Sequence, residues 1–105
     1  MAEDVLFQVP TPLGVDVRII SRLWARIAAV KHPNMDGRLG DVVESLRDPD
    51  EVRRSLSDGQ VVLFYRVDRP GRWVCSVVRR LNGDGFLITG YITSAVKEGE
   101  QIWRR

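Results

Sequence analysis

Few residues in this 105-residue chain could carry chemistry. His32 is its single histidine, and histidine is the side chain whose unperturbed pKa lies near neutrality. It stands directly before Pro33, where a rigid backbone can hold an imidazole for general acid or base work. Arg66 and Arg79 offer guanidinium forks for the charge that builds on a phosphorane. Thr89, Tyr91 and Thr93 place two hydroxyls and a phenol at alternate positions, enough to orient a phosphate or stack a base. Together these types describe phosphodiester chemistry without a metal. No Gly-rich phosphate loop, nucleophile elbow, paired histidines or metal-spaced carboxylates occur, so neither a metal nor another cofactor is expected. Each residue also has a plainer reading. A histidine in a last helical turn complements the dipole, sheet arginines pair with carboxylates, and Thr and Tyr are good strand formers.

The elements that must position these groups centre on Val61 to Thr93. The runs VVLFYRV, RWVCSVVRRL and FLITGYIT are rich in β-branched and aromatic residues. Asp68-Arg69-Pro70-Gly71 and Asn82-Gly83-Asp84-Gly85 separate them with turn chemistry, so an antiparallel meander is predicted. Strict alternation in the last run puts Phe86, Ile88, Gly90 and Ile92 on the core face and Leu87, Thr89, Tyr91 and Thr93 on the other. The first two runs are apolar on both faces, which leaves the faces of Arg66 and Arg79 undecided.

Upstream, Val5 to Val9 and Val15 to Ile19 predict a hairpin with Leu13-Gly14 near its tip. Ser21 is the predicted N-cap of a helix reaching about Val30, with Leu23, Trp24, Ile27, Ala28 and Val30 as its apolar stripe and Lys31 and His32 in its last turn. Pro33 ends it. Leu39 to Leu46 predicts a second helix. Asp48-Pro49 with Glu51 resembles a capping box and predicts a third, short one, with Val52 and Leu56 facing inward. Glu100 to Trp103 reads as an edge strand or docking tail anchored by Trp103. The expected architecture is a single α+β domain, an N-terminal hairpin and two to three helices packed on a mostly antiparallel four-stranded sheet.

Composition sets the class. Apolar residues make up 44% and charged residues 29% of the chain, the proportions of an ordinary globular protein. No apolar run approaches the roughly 18 residues of a membrane span, and no signal peptide is evident, so a cytoplasmic location is the default. Cys75 is alone and lies in a predicted strand, as a small core residue would. The net charge is +2, but residues 66–105 carry eight Lys and Arg against four Asp and Glu, while residues 1–65 carry eight against ten. A polyanion would meet the sheet half.

The TPLG hairpin, the Trp-bearing helix ending in KHP, DPDEVRRS, the FYR strand and GFLITGYIT followed by KEGEQIW span nearly the whole chain. In this pattern the chain resembles small prokaryotic and phage-associated proteins of the barnase, EndoU, colicin and RelE-like nuclease superfamily. The resemblance implies a helical N-terminal part against a four-stranded antiparallel sheet, metal-independent ribonuclease activity and a toxin-like role with a cognate antitoxin. By position it assigns catalysis to His32, Arg66, Tyr91 and Thr93, and adds Thr89 and Lys97 as substrate contacts beside Arg79. A second imidazole is absent, so Tyr91, Lys97 or water would fill the other acid or base role. The alternatives from the residues alone are a non-enzymatic module binding RNA or a protein partner through the polar sheet face, and a dimerising protein that uses Trp103 and the last strand as a sheet edge.

Overall fold

The computed structural model describes residues 4–96 and 98–105. It is α+β, a seven-stranded mixed sheet with two α-helices. The strands are β1 (Val5–Pro10), β2 (Asp16–Ile20), β3 (Glu51–Arg54), β4 (Val61–Arg69), β5 (Arg72–Leu81), β6 (Asp84–Thr93) and β7 (Glu100–Arg104), and the helices are α1 (Ser21–Arg26) and α2 (Leu39–Arg47). Their order across the sheet is β1-β2-β6-β5-β4-β3-β7. The predicted meander and hairpin are both present. Gly14 and Gly71 take φ of +77° and +80°, and Gly71 follows Pro70 as the third position of a type II turn requires.

The sheet is larger than the four strands expected. The hairpin joins it through parallel pairing of β2 with β6, limited to Asp16–Arg18 against Asp84–Phe86. On the far side, the predicted third helix is strand β3, paired with β4 on one edge and β7 on the other. The cap chemistry at Asp48 is diverted, because its carboxylate meets Arg66 and Arg105 rather than backbone N–H groups of a first turn. Val52 is buried as expected, but in a strand, whereas Leu56 lies in the loop beyond it and is 82% exposed.

The first helix also departs from the regular pattern. Ser21 provides no side-chain cap. After Arg26 the helix widens into a π-turn over Ile27–Lys31, closed by the His32 N–H donating to the Ile27 carbonyl at 2.8 Å. One extra residue in the turn rotates its later positions, so Val30, inward at a period of 3.6, points out and is 69% exposed. His32 leaves the helix with φ −139° and ψ 78°, outside the α region that a following proline disfavours.

Both faces of the sheet are covered. On one, Val62, Phe64, Val74, Val78 and Leu87 pack with Met35, Val42, Val43 and Leu46 from α2 and the segment before it. On the other, Leu63, Tyr65 and Cys75 form a second cluster with Trp73, Val77, Tyr91 and Val96 around them. The face assigned to β6 needs correction. Val77 pairs with Thr89 but Val78 pairs with Leu87, so Ile88 is the extra residue of a β-bulge. Alternation reverses there. Leu87 joins Gly90 on the α2 face, and Phe86 and Ile88 are only half-buried.

Where α2 crosses the sheet, two buried serines meet. The Ser45 hydroxyl donates to the Val42 carbonyl at 2.7 Å, so at the 2.6 Å contact with Ser76 the Ser76 hydroxyl must be the donor. Replacing Ser76 by Ala removes one bond and orphans no donor, whereas Ser45→Ala strands the Ser76 hydroxyl in the core. Ser76→Ala is therefore expected to cost about 1 kcal/mol and Ser45→Ala about 1–3 kcal/mol, read from urea denaturation midpoints. Equal losses, or the reverse order, contradict this assignment of donors.

Candidate active site

The site begins with an open stretch of strand edge. Because β2 pairs with β6 only as far as Phe86, the edge of β6 from Leu87 onward is left to the segment between α1 and α2. That segment straddles it. Met35 comes within 3.7 Å of where a Gly90 side chain would begin, on the α2 face, while His32 meets Tyr91 on the other. The His32 and Tyr91 rings lie 5.7 Å apart at a tilt of 40°, in the range of a favourable aromatic pair.

The second half of the site comes from the far end of the chain. Four antiparallel steps separate β6 from β7, so the two strands run the same way and the connection must cross the sheet. It crosses on the Tyr91 face. Val96 packs on the Leu63, Tyr65 and Cys75 cluster, and the Gly99 carbonyl accepts a hydrogen bond from Arg53 at 3.1 Å. Gly99 holds φ of +86°, and a β-carbon there would lie only 2.5 Å from the Arg54 carbonyl oxygen, a place only glycine fits. Between them Glu98 joins His32, Ser55, Val61, Leu63, Val77, Thr89 and Tyr91 in lining one open cavity of about 380 Å³.

Beneath this cavity lies a thiol between two phenols. Burial pushes the Cys75 thiol from the ordinary 9.0 up to about 12, against the opposing effect of hydrogen bonds with Tyr91 and Tyr65. Burial likewise raises Tyr91 and Tyr65, with Cys75 as the next cause and the Glu98 carboxylate adding to both. All three stay protonated at neutral pH, so Tyr91 is a hydrogen-bond donor and Cys75 is no thiolate nucleophile.

The other predicted residues are dispersed. Arg66 lies on the α2 face, where Nη1 donates to the Asp48 carbonyl at 2.6 Å and to its carboxylate at 3.2 Å. It does not enter the cavity. Arg79 is on the Tyr91 face of β5 but is held by Asp58 at 2.9 Å and Gln60 at 3.4 Å. Thr93 is engaged locally, its hydroxyl donating to the Ala95 carbonyl and accepting from the Ala95 N–H. Thr89 lines the cavity, and its hydroxyl is the one buried side-chain oxygen without a partner among the described residues. Lys97 lies outside the described residues. Among the described residues, no three His, Cys, Asp or Glu side chains are grouped as metal ligands, and no helix is long and apolar enough to cross a membrane.

No family model, curated protein or solved structure matches this chain. The cavity joins His32, Thr89 and Tyr91 and adds Glu98 and Ser55, with Tyr65 and Cys75 packed beneath it. The register of β4 on β5, which pairs Tyr65 with Cys75, is what puts these two on one face. Nothing local marks Glu98, which reaches the cavity only because β7 pairs on the far side of β3.

A raised folded pKa means that the folded state keeps its proton longer than the unfolded chain, so this stability is full below the unfolded pKa and lost as pH climbs through the folded one. Native Cys75 should resist iodoacetamide at pH 8 and react fully once unfolded in urea, and the urea midpoint should fall as pH rises from about 9 towards 12. Rapid alkylation of the folded protein would show that the thiol is neither buried nor protonated.

Proposed function

We propose that this protein is a metal-independent ribonuclease working at the His32, Tyr91 and Glu98 cavity. The observation that carries the reading is an imidazole and a carboxylate lining one open cavity with a protonated phenol beside them. Acid and base roles no longer need a second histidine. The cavity volume lies in the range that accepts a small ligand such as one nucleotide.

In the proposed reaction the Glu98 carboxylate takes the proton of the substrate 2′-hydroxyl as its oxygen attacks the adjacent phosphorus. The imidazolium of His32 protonates the departing 5′-oxygen. A 2′,3′-cyclic phosphate and a free 5′-hydroxyl result, with the proton from the 2′-oxygen on Glu98 and that of His32 on the leaving group. The Tyr91 hydroxyl donates to a phosphoryl oxygen, where charge develops in the transition state. Thr89 lines the cavity, and a phosphate contact by Lys97 is what the family resemblance implies. The same resemblance implies a toxin-like role under a cognate antitoxin, with a cytoplasmic location as the default.

A second reading has its own support. Arg66 and Arg79 are each engaged by a carboxylate, and among the described residues no guanidinium or ammonium lines the cavity. A module that binds RNA or a protein partner without cutting would need none there.

Purified protein in EDTA is expected to cleave single-stranded RNA to cyclic-phosphate ends. His32→Ala and Glu98→Gln should each lower kcat/KM by about 10²–10⁴, Tyr91→Phe by less, and Arg66→Gln should leave the rate near wild type. An His32→Ala protein that cleaves as fast as wild type sinks the mechanism. RNA retained without cleavage, at an affinity that falls with salt, supports the second reading.

A further inference from the structure

A second polar pocket, of about 290 Å³, lies on the α2 side of the segment that delivers His32, and it is lined by Asn34, Arg38, Asp68, Arg69, Arg72 and Ile92. Three guanidinium groups share it. Arg69 and Arg72 stand directly opposite each other at the end of the β4–β5 hairpin. In regular pairing they would not both reach this pocket. The register slips between Val67 and Arg69, so Asp68 is an extra residue and Arg69 is turned to the face of Arg72.

Like charges placed opposite each other in a sheet are destabilising, and an ordinary surface relieves them with carboxylates. Here the relief goes elsewhere. Asp68 and Asp41 both pair with Arg38, at 2.5 and 3.0 Å, and among the described residues no carboxylate pairs with Arg69 or Arg72. Both are exposed. Arg38 immediately precedes the nine-residue helix α2, whose positive dipole end faces the same side. The arrangement is a polar pocket in which two exposed guanidinium groups have no carboxylate partner among the described residues.

Its position names the anion. Asn34 lines this pocket and His32 lines the other, two residues apart and so no more than about 7.6 Å between their α-carbons. Ile92 and Tyr91, adjacent on β6, are divided between the two pockets in the same way. The segment His32–Asn34 thus borders both pockets, and a chain with its reacting phosphate at His32 reaches the arginine pocket by passing over the exposed Pro33 at the edge of β6. We infer that Arg69 and Arg72, with Arg38 behind them, form a subsite for a backbone phosphate of single-stranded RNA, next to the one that reacts. This rests on the ribonuclease reading for the direction of the chain and extends it to a residue pair that the first cavity does not contain.

The test uses the full-length protein and a fluorescent single-stranded RNA 10-mer carrying 2′-O-methyl groups throughout, which has no attacking hydroxyl and cannot be cut. The Arg69→Gln/Arg72→Gln double variant should bind it about tenfold more weakly at low salt, and the slope of log affinity against log salt should flatten by about 0.7, one phosphate contact on a single strand. Cleavage of a dinucleotide, too short to reach the subsite, should be unchanged, while cleavage of an unmodified 10-mer should slow. Because both side chains are exposed and their removal relieves a like-charge pair, thermal melting should be no lower than wild type. Unchanged affinity and salt slope in the double variant overturn the subsite whether or not RNA is cleaved. A wild-type protein that cleaves dinucleotides but does not hold the 10-mer does the same and leaves the nuclease reading standing. Arginine-dependent binding by a protein that cleaves no RNA overturns the nuclease reading and supports the subsite.

Discussion

The single extra residue at Ile88 is the constraint on which the rest of this molecule depends. Strand β6 has α2 and the segment before it on one face and the Leu63, Tyr65 and Cys75 cluster on the other, so both of its faces are covered. The bulge lets Leu87 enter the core with Val78, while Thr89 and Tyr91, two and four residues further on, face the opposite side with Val77 and Cys75. Without it, Leu87 would share a face with the hydroxyls, and either the core or the cavity would lose a member. A bulge beside a site is a common way to re-aim a side chain. Asp68 repeats the device at the other end of the meander, where it gathers arginines rather than hydroxyls.

The sheet is held by burial more than by charge. Phe64, Tyr65, Val62 and Val74 are each at most 2% exposed, and each such large side chain contributes on the order of 1.5–3 kcal/mol. The many Arg–carboxylate pairs are exposed or half-exposed and are worth roughly 0–1 kcal/mol apiece. What those pairs do decide is where charge remains available. Asp48 is held below its ordinary pKa by Arg105 first and Arg66 after it, which ties the C-terminal strand and β4 to the loop before β3. Asp58 does the same with its neighbour Gln60 and with Arg79. Removing these arginines from play leaves an imidazole and a carboxylate in one pocket and two unopposed guanidiniums in the next.

Neither pocket belongs to one element. The first needs the π-turn and Pro33 to swing His32 past the edge of β6, and it needs the six residues after Thr93 to cross the sheet to β7. The second needs the hairpin tip, the start of α2 and the turn after His32. The segment from His32 to Asn34 is common to both. Its docking is possible because β2 releases β6 after three paired residues and leaves the edge open.

Much of this could be read along the chain. The meander, its Pro-Gly and Asn-Gly turns, the hairpin around Gly14, both α-helices and the placing of His32 before a rigid proline follow from local propensities that the tertiary structure keeps. The likeness of cap-like Asp48-Pro49-Asp50-Glu51 to a helix start was overridden, because two neighbouring strands each needed a hydrogen-bonding edge and β3 supplies both. Outward Val30, the reversed parity before Thr89, the separation of Arg66 from Tyr91 and the arrival of Glu98 share one cause. Each depends on a single-residue slip or on a pairing across the sheet, and a slip changes which way a side chain points without changing its local sequence signal. The sequence by itself determined which groups could do chemistry and which elements carry them, since those depend on residue type and near neighbours. Only the tertiary structure decided which of those groups meet, since that depends on register and on strand order.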